Sequence, residues 1–456
     1  MEGFAGLPAG PLGQVPRSPL SGSGVAVASG VVAQPLFRAP VGTRDILPPE
    51  SVRRRRLVSV FADLADRSGF ELLESPIFEE LGVFQRLGAN NDVVTKELFE
   101  FFDKGDPPRH LALRPELTAS VCRAFAEHRP TVPWKIWYSG PQFRYERPQA
   151  GRYRQFEQVG VETLGTDDPH ADVEVIGLGV RFYEALGMRQ VRLQINSLGD
   201  AESRPAYDAA LADYLQNRRG ELSEQSRVTL ERNPLRVLDS KREHDQPVIE
   251  AAPVMADFLS GASAEHFAAV KAGLDSLDAA YEVSPRLVRG LDYYTRTTFE
   301  FVADALDTAQ NAVGGGGRYD GLVEELGGPA TPGIGFALGV DRILLACDAE
   351  GAFGGTPPPV EVFVVDVAGG ESAVVMCDRL RQAGLGVDRA FDGRSMKAQM
   401  KRADRSGASV AVIVGPDERA AGAATVRDMR PGGGQRQVPE PEVVAAVTEM
   451  LAGEAP

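Results

Sequence analysis

Apolar residues recur at helical spacing through residues 50–65, where Val52, Leu57, Val60, Phe61 and Leu64 fall on one face and Gly69 follows as a C-terminal cap. That pattern predicts a helix leading into a strand over residues 70–78. From 134 to 164 the period changes to two. Two alternating segments flank residues 147–152, whose Pro, Gly and Ala favour a long hairpin and hence an antiparallel sheet. Helical spacing returns across 200–280, with helices expected over 207–217 and 267–277, and reads as an inserted helical module. Strand signals reappear over 287–302, a run of glycines occupies 314–317, and a helical pattern covers 335–347. Past a Gly/Pro linker at 351–359, a strand (360–367), two helices (373–383 and 395–405) and a strand (410–414) predict a small α/β unit with a largely parallel sheet. Residues 1–37 show no sustained period and read as a disordered leader. The expected division is therefore leader 1–37, a core over 38–350 containing the 200–280 insertion, linker 351–359, and a C-terminal domain over 360–456.

Composition narrows the functional classes. At 456 residues the chain exceeds one ordinary core, so two or three domains are expected. The net charge of −15 means that any nucleic-acid contact must come from a local basic surface. Cys122, Cys347 and Cys377 are isolated and the five histidines show no HExxH spacing, which speaks against a zinc site or a disulfide framework and fits a reducing cytoplasm. No apolar run is long enough to span a membrane, and the short stretch 25–33 is broken by Ser29 and Gly30, unlike a signal peptide.

Several segments carry candidate chemistry. On the second hairpin strand Gln158, Gly160 and Glu162 share one face and Val159 and Val161 the other, leaving a notch at Gly160 in which a small polar ligand could lie; a solvated face with a bulge glycine is the alternative. Arg144, Arg147, Arg152 and Arg154 crowd the turn, a pattern suited to phosphate oxygens or to a solvated hairpin. Pro115 fits the first position of a helix and Glu116 its first turn, as ordinary capping or as an acid facing a ligand ammonium. Arg289-Gly290-Leu291-Asp292-Tyr293-Tyr294 combines a guanidinium, a close-approach glycine and two phenols at a strand start, where a core tyrosine pair is the competing reading. Neither the P-loop nor a strand-anchored GxGxxG is present around residues 314–321, so the usual nucleotide fingerprints are missing. Arg342 ends the glycine-rich stretch 333–342.

Taken in order, these segments resemble the class II aminoacyl-tRNA synthetases, and within them the histidine enzymes. Glu74-Ser75-Pro76-Ile77-Phe78-Glu79 looks like motif 1, Phe143-Arg144-Tyr145-Glu146-Arg147 and onward to Phe156 like motif 2, and residues 333–342 like motif 3; residues 289–295 and 315–322 are similar to the two histidine-specific signatures. The resemblance implies an α+β catalytic domain built on a six-stranded antiparallel sheet, a helical insertion and a C-terminal α/β anticodon-binding domain. It implies ATP with Mg²⁺, L-histidine and tRNA(His) as partners and a homodimer through motif 1, and it names no protein ligand for the metal. By resemblance, Arg144 and Arg289 are catalytic, Arg144, Arg152 and Arg342 bind ATP, and Arg147 and Gln149 contact the tRNA acceptor end. Histidine is expected to meet Glu116, Leu117, Thr118, Arg144, Gln158, Glu162, Arg289, Tyr293 and Tyr294. Leu117 stands where many bacterial members carry glycine. In the C-terminal domain Lys397, Lys401 and Arg405, with Arg394 before them, lie on one helical face, with Met396, Met400 and Ala403 toward the core. The rival reading is the synthetase-like regulatory subunit of ATP phosphoribosyltransferase, a histidine sensor. Such paralogues typically lack the anticodon domain and have eroded arginines, whereas Arg144, Arg289 and Arg342 stand here.

Overall fold

The computed structural model describes residues 36–86, 94, 96–306, 311–355, 360–391 and 393–453. Most of the expected leader and the linker residues 356–359 lie outside the described residues. In the N-terminal part, among the described residues, eleven strands form two sheets: β1 (Glu71–Leu72), β2 (Phe78–Glu80), β3 (Glu100–Phe102), β4 (His110–Leu113), β5 (Trp134–Phe143), β6 (Gln155–Leu164), β7 (Val191–Ser197), β8 (Tyr281–Val283), β9 (Thr295–Ala303), β10 (Ala312–Arg318) and β11 (Gly333–Gly339).

The main sheet has the order β1-β5-β6-β11-β10-β9-β7-β8. Its six inner strands run antiparallel, but β1 pairs parallel with β5 and β8 parallel with β7. The expected six-stranded antiparallel sheet is therefore an eight-stranded mixed sheet. The added edge strands have two and three residues, too few for an alternating pattern to register in the sequence. The strand expected over 70–78 divides at Pro76, which has no amide hydrogen for a ladder. Glu71–Leu72 joins the main sheet, and Phe78–Glu80 joins a separate antiparallel sheet of order β2-β4-β3.

A second correction concerns glycine. Residues expected to begin a helix at 335 instead form β11, and the helix runs Val340–Glu350. Ile334, Phe336 and Leu338 alternate into the core, while the intervening glycines let neighbouring strands and side chains come close. The glycine run is strand β10, and a Cβ at Gly316 would lie 1.9 Å from the Gly335 carbonyl oxygen. Only β9, from Thr295 onward, is strand within the expected 287–302 segment; the residues before it form a loop.

One face of the sheet is covered by the helices Glu50–Arg67, Pro169–Ala185 and Gly261–Ser276, whose Leu57, Phe61, Phe182 and Leu274 pack with Val159, Val161 and Phe299. The opposite face carries Gln158 and Glu162 and borders a cavity. Across the segment expected as an insertion, helices Arg204–Asn217 and Glu224–Arg232 contribute to a separate apolar cluster that contains Tyr207, Leu211 and Val237, and also Val288 and Tyr294.

The C-terminal sheet comprises β12 (Val362–Asp366), β13 (Val387–Arg389), β14 (Val410–Val414), β15 (Ala423–Asp428) and β16 (Gln435–Pro439), in the order β13-β12-β14-β15-β16. It is mixed rather than largely parallel, because β15 and β16 return as antiparallel neighbours of β14. Helix Met396–Ser406 turns Ala403 and Met400 to the sheet, as expected, but Met396 is 37% exposed. Arg394, Lys397, Lys401 and Arg405 are exposed. No helix among the described residues is long and apolar enough to cross a membrane.

Candidate active site

The two-residue period of β6 has the expected consequence: Val159 and Val161 enter the core, while Gln158 and Glu162 face a cavity on the other side. Gly160 does not leave an open notch, however. Tyr138 pairs with it across the hairpin, and a Cβ at Gly160 would lie 2.4 Å from the Tyr138 hydroxyl oxygen. The space a side chain would have filled is taken by a phenol.

That phenol is one of three hydroxyls directed at Glu162. Thr118 donates to Oε1 at 2.7 Å, Tyr138 to the same oxygen at 3.3 Å, and Tyr319 to Oε2 at 2.5 Å. The carboxyl group is 1% exposed, and burial pushes its pKa up to about 8 even though the hydroxyl donors oppose the shift. An acid so enclosed keeps its proton well above the usual carboxylate range.

Glu116 is also buried, and burial raises its pKa. Its carboxylate accepts from the backbone amides of Thr118 at 2.9 Å and Ala119 at 2.8 Å. The helix thus begins at Thr118, with Leu117 at the cap position, so Pro115 does not take its first position and Glu116 precedes it. Leu117 is 1% exposed and packs with Phe84, Val121 and Phe125 in an apolar cluster, outside the cavity lining.

The cavity has a volume of about 260 Å³. Glu116, Thr118, Gln158, Glu162, Tyr293 and Tyr294 line it, and so do Arg144, Arg152, Arg289 and Arg342. Arg144 is oriented by its Nε bond to the Pro115 carbonyl, 2.9 Å, and lies 5.3 Å above the Phe156 ring. Arg152 approaches Glu146 at 3.4 Å. Arg289 forms an ion pair with Glu300 on β9, and its Nε is buried with no hydrogen-bond partner among the described residues. Arg342 donates to the Ala312 carbonyl at 2.6 Å; burial and the nearby Arg152 both lower its pKa. Cations gathered in this way are suited to a polyanion that neutralises them.

Arg147 and Gln149 lie elsewhere, exposed on the β5–β6 connection, where Gln149 and Arg152 exchange backbone hydrogen bonds of 3.2 and 2.9 Å. Sequence reasoning assigned no role to Tyr138, Tyr319 or Glu300. Tyr319 stood in view beside the glycine run, but only the pairing of β10 with β11 and of β11 with β6 brings it to Glu162. Among the described residues no cluster of three or more His, Cys, Asp or Glu is placed to hold a metal ion. The cavity carboxylates Glu146 and Glu300 face arginines instead.

The sequence matches the family model for Histidyl-tRNA synthetase over residues 42–343 and that for an Anticodon binding domain over 361–450. A Histidine–tRNA ligase of Saccharopolyspora erythraea is 47% identical over 423 residues, covering 91% of this chain and 99% of its own. One from Mycolicibacterium vanbaalenii is 49% identical over 422 residues, covering 91% and 98%. The crystal structure of apo S. aureus histidyl-tRNA synthetase superposes with a TM-score of 0.75 at 35% identity, covering 90% of this chain and all of that one. With family signature, relatives and fold in agreement, the chain belongs to the histidyl-tRNA synthetase family of ATP-dependent histidine–tRNA ligases.

Proposed function

We propose that the cavity between Glu162 and Arg342 is where histidine is activated. The observation that carries this reading is the convergence on one 260 Å³ space of a buried acid ringed by hydroxyls and four arginines from three separate segments, the β5–β6 connection, the loop before β9 and the helix after β11. The imidazole lies between Glu162 and Tyr294, with Tyr293 beside it, and the α-amino group meets Glu116, Thr118 and Gln158. Leu117 shapes this region from behind, as the residue that caps the helix presenting Thr118. Arg144 and Arg289 hold the α-phosphate and the substrate carboxylate, and Arg342 with Arg152 holds the γ-phosphate end of ATP.

A histidine carboxylate oxygen attacks the α-phosphorus, the bond to the bridging oxygen breaks, and pyrophosphate leaves. A terminal tRNA hydroxyl then attacks the carbonyl of the mixed anhydride and AMP departs. The attacking carboxylate is already ionised, so the protein's work is alignment and charge neutralisation. Mg²⁺ arriving with ATP would supply further neutralisation of the phosphates, and delivery by the nucleotide suits a cavity in which Glu146 and Glu300 are paired with Arg152 and Arg289. A wrong amino acid would leave Glu162 and its hydroxyls unmatched, at a cost of several kcal/mol, as an order of magnitude.

Arg147 and Gln149 are proposed to receive the acceptor end of tRNA(His), and the exposed Arg394, Lys397, Lys401 and Arg405 its anticodon region. The proposed division keeps 38–350 as catalytic core with 200–280 inserted, 351–359 as linker and 360–456 as anticodon-binding domain. A cytoplasmic homodimer completes the reading; Phe78 at 45%, Phe101 at 39% and Phe102 at 64% exposure on the small sheet supply apolar surface for a second copy. Histidine-dependent ATP–pyrophosphate exchange followed by tRNA charging tests the proposal. Histidine binding without exchange would favour the regulatory reading, against which the retained Arg144, Arg289 and Arg342 and the C-terminal domain stand.

A further inference from the structure

The loop that presents Arg289, Tyr293 and Tyr294 has no regular secondary structure of its own, and Gly290 gives its backbone wide conformational freedom. On the sheet side it is held by Arg289 pairing with Glu300 and by Asn196 of β7, which donates to the Leu287 carbonyl at 3.0 Å. On the other side it is held by the helical insertion. Arg236 donates through Nη2 to the Gly290 carbonyl, and its Nε lies 3.4 Å from Asp292 Oδ1. Asn233 adds a bond of 3.3 Å to the same carboxylate oxygen. Arg286 reaches in the reverse direction, donating to the Pro253 and Glu250 carbonyls at 2.7 and 2.8 Å. Val288 and Tyr294 are buried in the insertion's apolar cluster with Leu211 and Val237. The loop is a layer pressed between two bodies.

We propose that Arg236 is a positioning residue for histidine activation: by gripping Gly290 and Asp292, one and three residues beyond Arg289, it fixes the backbone that aims Arg289 and the tyrosine pair into the cavity. A planar fork suits this task, since it spans a carbonyl and a carboxylate at once. The ion pair with Glu300 restrains the guanidinium of Arg289, but the chain following it is restrained by Arg236. The insertion thereby acts on the chemistry without touching substrate, and displacement of a reacting group by about 1 Å can cost on the order of 100-fold in rate. The inference rests on the reading of Arg289 as a catalytic residue.

The test uses the full chain with Arg236→Ala, Arg236→Lys, Asn233→Ala, Arg289→Ala and, as a control inside the insertion, Arg227→Ala. Arg227 donates to the Leu222 and Gly220 carbonyls, at 2.9 and 3.3 Å, both within the insertion. In histidine-dependent pyrophosphate exchange, Arg236→Ala is expected to lower kcat by about 10- to 100-fold and to raise KM for histidine, with KM for ATP changed by no more than about twofold. Arg236→Lys, which keeps the charge but not the fork, should recover part of the loss, and Arg227→Ala should behave as the parent. Parent-like kinetics of Arg236→Ala, or an equal loss in Arg227→Ala, would overturn the proposal. Should Arg236→Ala fail to fold, Asn233→Ala and Arg236→Lys decide: a loss of about threefold or more in kcat with raised histidine KM supports it, and parent-like values in both reject it. Arg289→Ala separates the two levels. Exchange surviving that change removes the catalytic reading itself, whereas its loss beside an unaffected Arg236→Ala removes the positioning role alone.

Discussion

Tyr319 donates its phenol hydrogen to Oε2 of Glu162 at 2.5 Å across 157 residues of chain. With Thr118 on the other oxygen at 2.7 Å, the carboxyl group is held rigidly in a place where water is excluded. Burial raises its proton affinity even though the hydroxyl donors that hold it oppose the shift.

The pH dependence of stability follows from that burial. Folding raises the Glu162 pKa from 4.5 to about 8, so the folded chain keeps a proton that the unfolded chain gives up. Its contribution is full below about pH 4.5 and is lost as the pH rises through about 8. Without ligand, the parent should lose stability relative to Glu162→Gln between about pH 5 and 9, by on the order of 3 kcal/mol. Parallel thermal melts of the two proteins across that range would contradict this.

Gly335 lies behind the same carboxylate. A Cβ there would sit 1.7 Å from Glu162 Oε2 and 2.5 Å from the Val161 carbonyl oxygen. Gly335→Ala is expected to weaken histidine binding by at least about tenfold and to cost on the order of 2 kcal/mol of stability. Calorimetric titration with histidine measures the first effect, and undiminished affinity would show that Glu162 is free to move.

Arg289→Ala should lower pyrophosphate exchange by about 1000-fold, the scale of removing one preorganised charge from the reacting phosphorus, while far-UV circular dichroism stays unchanged. Exchange at the parent rate would take Arg289 out of the mechanism.

Arg318 and Asp172 are both fully buried and paired, and His266 Nε2 lies 2.8 Å from Asp172 Oδ2. Arg318→Ala leaves the buried carboxylate with His266 but without its guanidinium partner and is expected to destabilise the fold by ~3–5 kcal/mol. Replacing both partners with apolar residues should recover much of that loss, as measured by urea unfolding; equal instability of the single and double variants would mean that packing rather than charge is at stake.

Arg147→Ala and Lys401→Ala should leave pyrophosphate exchange intact and reduce kcat/KM for tRNA charging by about tenfold, with a shallower salt dependence than the parent. A change in exchange of the same size would place either residue in the activation step instead.

Much of this was readable from one dimension because strand periodicity is local. The alternation of Gln158, Val159, Glu162 and Val161 separates a cavity face from a core face whatever the rest of the chain does. The glycine strands β10 and β11 escaped that reasoning, since a residue without a side chain leaves little pattern and β11 passed for the start of a helix. So did the two short edge strands that make the sheet mixed.

Side-chain encounters were beyond reach for a different reason. That Tyr138 fills the space over Gly160 depends on the register of a hairpin with a long connection, and that Tyr319 meets Glu162 depends on the order β6-β11-β10. Which residues face the same way is written in short-range spacing. Which of them touch is set by register and strand order, and these are settled only when distant segments pack around a shared core.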